Sequence, residues 1–244
     1  MNDSTRLTMT ERGTRIDIGE AVLAGDLAIP SEPSGVVVFA HGSGSSRHSP
    51  RNRAVAAVLQ DAGLATLLMD LLTEEEERVD LQSAELRFDL DLLARRLVGA
   101  ARWLADQPAT EGLPIGYFGA STGGGAALVA AADHPQAIGA VVSRGGRPDL
   151  AGGALPRVAA PTLLIVGGND TLVLDLNRQA LERIGAEKRL EVVPGASHLF
   201  EEPGTLERVA ILAAGWFTRP LATTRKPPPA TPGMGVVRRC PGER

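Results

Sequence analysis

Five short apolar runs, separated by segments of helical periodicity, limit most strongly what this chain can fold into. They occupy residues 35–40 (GVVVFA), 64–69 (LATLLM), 115–118, 138–143 and 161–166. Runs without polar alternation are typical of strands that are buried on both faces. The remaining patterns predict helices over 53–62, 86–104, 122–132, 176–184 and 206–217, and one more strand over 189–193. Strands that alternate with helices predict an α/β fold, with a mostly parallel central sheet and helices on both of its faces.

The two ends of the chain carry different patterns. Residues 15–18 and 21–29 predict two strands of an antiparallel hairpin around Gly19-Glu20. Residues 1–12 are polar and have no period, and residues 218–244 combine scattered charges with three consecutive prolines at 227–229. Such composition is typical of disordered segments. We therefore predict one domain over 13–217 between two disordered ends.

Composition excludes several classes of protein. The net charge of −4 gives no basic surface for nucleic acid or an anionic membrane. No apolar run approaches the ~20 residues of a membrane span, and the polar N-terminus does not resemble a secretory signal, so we expect a cytoplasmic protein. Cys240 is the single cysteine, which excludes an intramolecular disulfide and a cysteine-rich metal site. Nothing in the sequence indicates an oligomeric state.

Ser121 lies at the centre of a G-x-S-x-G pentapeptide, residues 119–123, between an apolar run and a run of small residues. This pattern is the signature of a nucleophile elbow, in which a strained turn from strand to helix exposes a serine hydroxyl. Gly119 and Gly123 remove side chains where the two backbones approach closely. A simple Gly-Ser turn that caps a helix is the alternative interpretation.

A serine nucleophile needs a base, and the base needs a carboxylate partner. His198 follows the last predicted strand and therefore lies at the same sheet edge as Ser121, unlike His134 at a helix end. Asp170 follows the strand at 161–166 and completes the order Ser, Asp, His. The alternatives to Asp170 as the carboxylate are three nearby acidic residues: Asp175, Glu201 and Glu202.

An oxyanion hole needs backbone N–H groups that point to the developing negative charge. One is expected from Thr122, directly after the nucleophile. The other is expected from the glycine-rich loop after residues 35–40, where Ser43 is the first choice and Gly44 the second. His41, at the start of that loop, is interpreted as a brace for it.

These motifs resemble those of the α/β-hydrolase superfamily over about residues 14–217. Within it, the chain is similar to small dienelactone-hydrolase-like serine hydrolases, of the type sometimes joined to phosphoribosyltransferase domains. That likeness rests on the loop GSGSSRHSPRN and on the segment LMDLLTEEEE. Authentic dienelactone hydrolases carry a cysteine nucleophile, whereas this elbow holds Ser121. The resemblance implies a triad of Ser121, Asp170 and His198 that needs no cofactor or metal.

The connections suggest an open site and one further binding residue. The segments at 70–80 and 144–160 are too short for a cap domain, and the acidic run at 74–77 is interpreted as solvated. Arg144 follows a strand at the catalytic edge and is a candidate to bind a substrate carboxylate, helped by Arg147 or Arg47. A solvated loop arginine is the alternative interpretation.

The sequence thus predicts a serine hydrolase that cleaves small carboxylic esters through an acyl-serine intermediate. Its expected partner is a small ester, and neither nucleic acid nor a membrane is expected. An acyltransferase or a peptidase could use the same triad and differ only in its acceptor or substrate. A non-catalytic binding protein on the same fold is the alternative from another class.

Overall fold

The computed structural model describes residues 9–223, which form an eight-stranded sheet flanked by helices. The strands are β1 (Met9–Asp17), β2 (Val22–Pro30), β3 (Val36–Ala40), β4 (Ala65–Met69), β5 (Ile115–Ala120), β6 (Ile138–Arg144), β7 (Thr162–Gly167) and β8 (Lys188–Val193). The helices are α1 (Pro50–Asp61), α2 (Glu74–Ser83), α3 (Leu90–Ala105), α4 (Thr122–Asp133), α5 (Thr171–Arg183) and α6 (Thr205–Thr223). Short 3-10 segments span Leu86–Phe88 and Pro148–Arg157.

The strands lie in the order β1-β2-β4-β3-β5-β6-β7-β8. All neighbours from β4 to β8 pair in parallel, whereas β1 pairs antiparallel with β2 and β2 antiparallel with β4. The predicted α/β fold, with its mostly parallel sheet and its N-terminal hairpin, is confirmed. Because β5, β7 and β8 are parallel, the loops that follow them meet at one edge of the sheet.

Side-chain alternation divides the core between the two faces of the sheet. Along β3, Val36 and Val38 face the cluster that contains α3 and α4, whereas Val37 and Phe39 face the cluster that contains α1 and α6. All of β3 is buried, as the continuous apolar run predicts. Helix α4 begins directly after Ser121 and is buried from Thr122 to Ala132; it is built from Gly, Ala and a few larger residues, which lets it lie close against the sheet.

The ordered domain is longer at both ends than the sequence predicted. Residues 9–12, expected to be disordered, form the start of β1, because they pair in register with β2 from Arg12 opposite Leu27 to Met9 opposite Pro30. Residues 218–223 continue α6, since the helix passes through Pro220 and buries Leu221 in the core. The other residues predicted to be disordered, 1–8 and 224–244, lie outside the described residues.

Helix α2 is not among the predicted helices, although three of the four glutamates in the acidic run at 74–77 are exposed, as the interpretation of a solvated charge run predicts. Thr73 caps it with a reciprocal capping box, in which the Thr73 hydroxyl accepts from the Glu76 N–H and the Glu76 carboxylate accepts from the Thr73 N–H. The acidic first turn is favourable next to the positive end of the helix dipole. The T-x-x-E pattern was therefore the signal for this helix. Within residues 9–223, neither α2 nor the 3-10 segment Pro148–Arg157 is large enough to form a cap domain.

Candidate active site

Ser121 occupies the sharp turn between β5 and α4. Its backbone has φ 51° and ψ −120°, a conformation that non-glycine residues rarely adopt. The Ser121 N–H donates to the Arg144 carbonyl at 3.2 Å, and the Ser121 carbonyl accepts from the N–H groups of Gly124 at 2.9 Å and Arg147 at 3.1 Å. These bonds fix the turn on both sides, so the strained conformation is imposed by its surroundings.

Two glycines make this turn possible. A Cβ atom on Gly119 would lie 2.4 Å from the Gly123 carbonyl oxygen, and one on Gly123 would lie 2.3 Å from the Ala40 carbonyl oxygen. Both contacts are with backbone atoms, which cannot move aside as a flexible side chain can. The pentapeptide therefore has the steric reason for its glycines that a nucleophile elbow requires.

Ser121, His198 and Asp170 form one hydrogen-bonded chain. His198 Nε2 lies 3.3 Å from the Ser121 Oγ, and His198 Nδ1 lies 2.6 Å from Asp170 Oδ2. The carboxylate fixes the tautomer with the proton on Nδ1, so Nε2 is the acceptor that faces the serine hydroxyl. The structure thus brings together the three residues that the sequence selected, in the arrangement by which serine hydrolases activate a nucleophile.

The loops that carry Asp170 and His198 are bonded to each other. Asn169, next to Asp170, donates its backbone N–H to the Ala196 carbonyl at 2.9 Å and its side-chain amide to the Gly195 carbonyl at 2.8 Å. The carboxylate of Glu202, four residues beyond His198, accepts the Ser197 N–H at 3.0 Å, and hydrogen bonds from the Ser197 side chain and backbone lower the pKa of Glu202. The imidazole is therefore positioned by contacts of the three backbone groups directly before it, those of Gly195, Ala196 and Ser197.

The other acidic candidates for the role of Asp170 have different partners. Asp175 pairs with Arg178 on the exposed side of α5, and Glu201 lies 3.4 Å from Arg51. Glu202 is bound to the backbone of Ser197, as described above. Asp170 alone of the four has its carboxylate on the imidazole of His198.

The glycine-rich loop after β3 reaches the same site. Ser45 donates its N–H to the Gly42 carbonyl at 3.1 Å, and Gly44 has φ 68°, so residues 42–45 form a turn whose third position requires a glycine. Ser43 lines the pocket that contains Ser121. Thr122, as the first residue of α4, has an N–H for which the helix provides no acceptor.

His41 braces this loop, as the sequence suggested. Its Nδ1 donates to the Gly42 carbonyl at 2.9 Å, and its Nε2 accepts the Leu71 N–H at 3.1 Å. Burial of the ring lowers its pKa and outweighs the opposing effects of Gly42, Asp70 and Glu77. His41 is therefore a neutral imidazole that is fully used in holding two loops together.

A pocket of about 240 Å³ lies beside Ser121 and His198, and Arg144 forms part of its wall. Arg144 is only 6% exposed, and its Nε and Nη1 have no hydrogen-bond partner among residues 9–223. Burial, and secondly the charge of Arg51, lowers the pKa of Arg144 to about 10, at which the guanidinium is still protonated at neutral pH. The wall of the pocket next to the serine thus contains a buried cation whose Nε and Nη1 have no hydrogen-bond partner among the described residues.

The arginines that line this pocket differ from those that the sequence predicted to assist Arg144. Arg47 is not part of its wall, because its guanidinium pairs with Asp70 and approaches Asp26 at 3.8 Å. Arg147 is held by Asp149 through two hydrogen bonds of 2.9 and 2.7 Å. The second arginine in the wall is Arg51, which the sequence interpretation missed.

Arg51 was missed because α1 begins three residues earlier than predicted. Ser49 caps the helix by accepting the Asn52 N–H at 3.3 Å, and Pro50 is its first residue. A serine followed by proline is a known signal for the start of a helix. That signal places Arg51 in the first turn, which faces the pocket.

Among the described residues, no group of three or more His, Cys, Asp or Glu side chains is arranged to hold a metal ion. None of the helices within 9–223 is both long enough and apolar enough to cross a membrane.

The sheet order, the elbow and the Ser121–His198–Asp170 chain define an α/β-hydrolase. More narrowly, the chain belongs to the dienelactone hydrolase family, whose model matches residues 23–214. The sequence-based expectation of a dienelactone-hydrolase-like protein is confirmed.

The relatives agree with this assignment. A solved structure of a dienelactone hydrolase from Anabaena variabilis is 62% identical, covers 87% of this chain and 99% of its own, and superposes with a TM-score of 0.86. The Est1E protein of Butyrivibrio proteoclasticus is 16% identical over 86% of this chain and 99% of its own, with a TM-score of 0.72, and shows the fold alone.

The curated relatives carry a different name. Proteins from two strains of Mycobacterium tuberculosis, each named "putative phosphoribosyl transferase", are 61% identical over 209 residues. Those residues are 86% of this chain but 46% of the relatives. The chain therefore spans less than half the length of the proteins to which that name applies.

Proposed function

We propose that this protein is a serine hydrolase that cleaves small carboxylic esters through an acyl-serine intermediate. The observation that carries the proposal is the hydrogen-bonded chain from Ser121 through His198 to Asp170. His198 accepts the proton as Ser121 attacks the ester carbonyl, and the N–H groups of Thr122 and Ser43 bind the oxyanion. His198 then protonates the leaving alcohol, and water reverses the same steps to release the acid.

We further propose that the substrate carries an anionic group, bound by Arg144. A buried charge without a carboxylate partner is costly, and an anionic group in the pocket would neutralise the guanidinium of Arg144 in its wall. Arg51 adds a second positive charge to the same pocket. In this role Arg51, which lies 3.4 Å from Glu201, replaces Arg47 and Arg147, because Arg51 lines the pocket and the other two do not.

The first experiment tests the nucleophile. We expect wild type to hydrolyse p-nitrophenyl acetate and to be labelled by a fluorophosphonate probe, and Ser121→Ala to do neither. Equal rates in wild type and Ser121→Ala would refute the proposal and favour a binding protein on this fold. Addition of alcohol or amine acceptors, with product analysis, separates a hydrolase from an acyltransferase, and a set of peptide substrates tests peptidase activity.

The second experiment tests the anionic group. Monomethyl succinate and methyl 4-methylpentanoate are similar in shape but differ in charge. We expect Arg144→Leu to lower kcat/KM for the anionic ester by about 10²-fold and to leave the neutral ester nearly unchanged, since it removes a charged hydrogen-bond partner worth about 1.5–3 kcal/mol. Arg147→Leu is the matched control. An equal change for both esters would exclude Arg144 as the anion site.

A further inference from the structure

A second pocket, the pocket beneath α2, shares the loop that carries Ser43 with the pocket beside Ser121. It has a volume of about 100 Å³, and its apolar wall is formed by four leucines of β4, α2 and α3 or the loops beside them: Leu71, Leu72, Leu81 and Leu93. Three residues, Gly42, Ser43 and Ser45, line both this pocket and the one that contains Ser121. Both pockets therefore adjoin the loop whose Ser43 N–H would bind the oxyanion of the proposed reaction.

Three of the four charged side chains in the wall of this second pocket have partners: Asp70, Asp80 and Arg87. Asp70 pairs with Arg47, and Asp80 is bound by Arg87 through its carboxylate and its carbonyl. Both nitrogens of His41 are used, as described above. The carboxylate at the exposed edge, Glu77, repels anions. The larger part of the surface that remains for a ligand is apolar, and the hydroxyl-bearing Ser43, Ser45 and Ser46 form the side next to the loop.

The two pockets thus differ in the chemistry that they accept. The pocket beside Ser121 contains the guanidinium groups of Arg51 and Arg144, and the pocket beneath α2 contains leucines with a negative charge at its edge. We infer that the pocket beneath α2 binds the neutral aliphatic arm of the ester, while the anionic group lies against Arg144. This inference rests on the proposed function and names the second half of its substrate.

The size of the pocket sets the length of that arm. A cavity of about 150 Å³ holds a benzene ring, so about 100 Å³ has room for a chain of about four carbons. Each methylene that enters the pocket should raise kcat/KM by about fourfold, because burial of a methylene is worth about 0.8 kcal/mol. Methylenes beyond the fourth carbon should give no further increase.

Two ester series measure this dependence. One varies the acyl chain of p-nitrophenyl esters from acetate through butyrate and hexanoate to octanoate, and the other varies the alkyl group of acetate esters over the same lengths. We expect a rise to about four carbons in the series whose arm enters the pocket. The responding series identifies that arm as acyl or alcohol.

Variants of α2 connect the effect to this pocket. Leu81 lines it and is 72% exposed, so Leu81→Trp can fill the pocket without disturbing the core. Val79, also exposed on α2, does not line the pocket, and Val79→Trp is the matched control. We expect Leu81→Trp to lower the ratio of four-carbon to shortest-chain rates about tenfold and Val79→Trp to leave it unchanged. Leu72→Ala should instead shift the optimum to longer chains.

Fluorophosphonate labelling of Ser121 in each variant distinguishes a failure of the pocket assignment from a failure of the proposed function. If Ser121 is labelled and active but both series are flat in wild type, the pocket assignment is wrong and the proposed function stands. The same conclusion follows if Leu81→Trp and Val79→Trp change the ratio equally. If Ser121 is not labelled and Ser121→Ala is as fast as wild type, the proposed function fails, and the pocket assignment fails with it.

Discussion

The guanidinium carbon of Arg144 lies 5.7 Å from the centroid of the Phe200 ring, and Phe200 is two residues beyond His198. Phe200 is buried and has φ 55°, a left-handed conformation that is strained for a residue with a large side chain. The strained loop thus brings an aromatic face to the buried cation. A desolvated cation–π contact is worth about 2 kcal/mol, less than the several kcal/mol that burial of an unpaired charge costs. The free site is therefore less stable than a site with an apolar residue in this position.

This imbalance predicts that Arg144→Leu stabilises the protein. Removal of the buried charge should raise the free energy of unfolding by about 1–4 kcal/mol, the range found when buried ionic groups are replaced by apolar ones. Urea denaturation followed by circular dichroism measures it. Arg147→Leu, which removes only a half-exposed pair with Asp149, should change stability by less than about 1 kcal/mol. A loss of stability in Arg144→Leu would show that its contacts with Phe200 outweigh its burial.

Asp170→Asn tests the role of the carboxylate in the triad. An amide at this position leaves the fold intact but no longer favours the tautomer with the proton on Nδ1 of His198, so we expect kcat to fall about 10⁴-fold with little change in KM. Steady-state kinetics on p-nitrophenyl acetate measure both constants. Asp175→Asn, on the exposed side of α5, is the control and should retain full activity. A small effect of Asp170→Asn would transfer the role to another group.

The sequence predicted those features that depend on local pattern and strand order. Continuous apolar runs identified the buried strands, and the shared edge of parallel strands brought Ser121, Asp170 and His198 together without any knowledge of their side-chain contacts. The starts of α1 and α2 can also be predicted from local pattern, since Ser49 and Thr73 carry recognisable capping patterns.

Other features depend on contacts between residues that are distant in sequence. Arg47 and Arg144 look alike as loop arginines, and only the folded chain shows that Asp26 and Asp70 hold the first while the second has free donors. The contact of Phe200 is equally non-local, because its ring lies against the guanidinium of Arg144 on a different strand end. A long flexible side chain can reach several partners, so sequence position alone does not fix its role.

Two helical glycines provide a test of the elbow. A Cβ on Gly123 would lie 2.3 Å from the Ala40 carbonyl oxygen and 2.5 Å from that of His41, so Gly123→Ala must push the nucleophile turn away from the loop that carries Ser43. We expect it to destabilise the fold by about 1–3 kcal/mol and to lower kcat/KM by about 10² or more. Thermal unfolding and esterase kinetics measure the two effects.

Gly215→Ala is the matched control for this substitution. Gly215 lies exposed in α6, and a Cβ there would meet no atom within 4 Å. Alanine should therefore stabilise the helix by about 0.5–1 kcal/mol and leave the kinetics unchanged. If both variants behaved alike, close backbone approach would not be the reason for Gly123.

The ion pair between Asp80 and Arg87 predicts a pH-dependent contribution to stability. Burial alone would raise the pKa of Asp80, but the backbone and side-chain hydrogen bonds from Arg87, together with its charge, lower the pKa below its ordinary value. A carboxylate with a lowered pKa in the folded state stabilises the fold above its unfolded pKa of about 4. This stabilisation is lost as the pH falls through the pKa of the folded state.

Asp80→Asn should therefore lower the free energy of unfolding by about 2 kcal/mol at neutral pH, and the difference from wild type should shrink between about pH 5 and pH 2. Denaturation curves over this range measure the difference, with Asp175→Asn as an exposed control that should change little at any pH. A difference that stays constant down to the lowest pH would mean that the packing of this side chain, and not its charge, joins α2 to the 3-10 segment Leu86–Phe88.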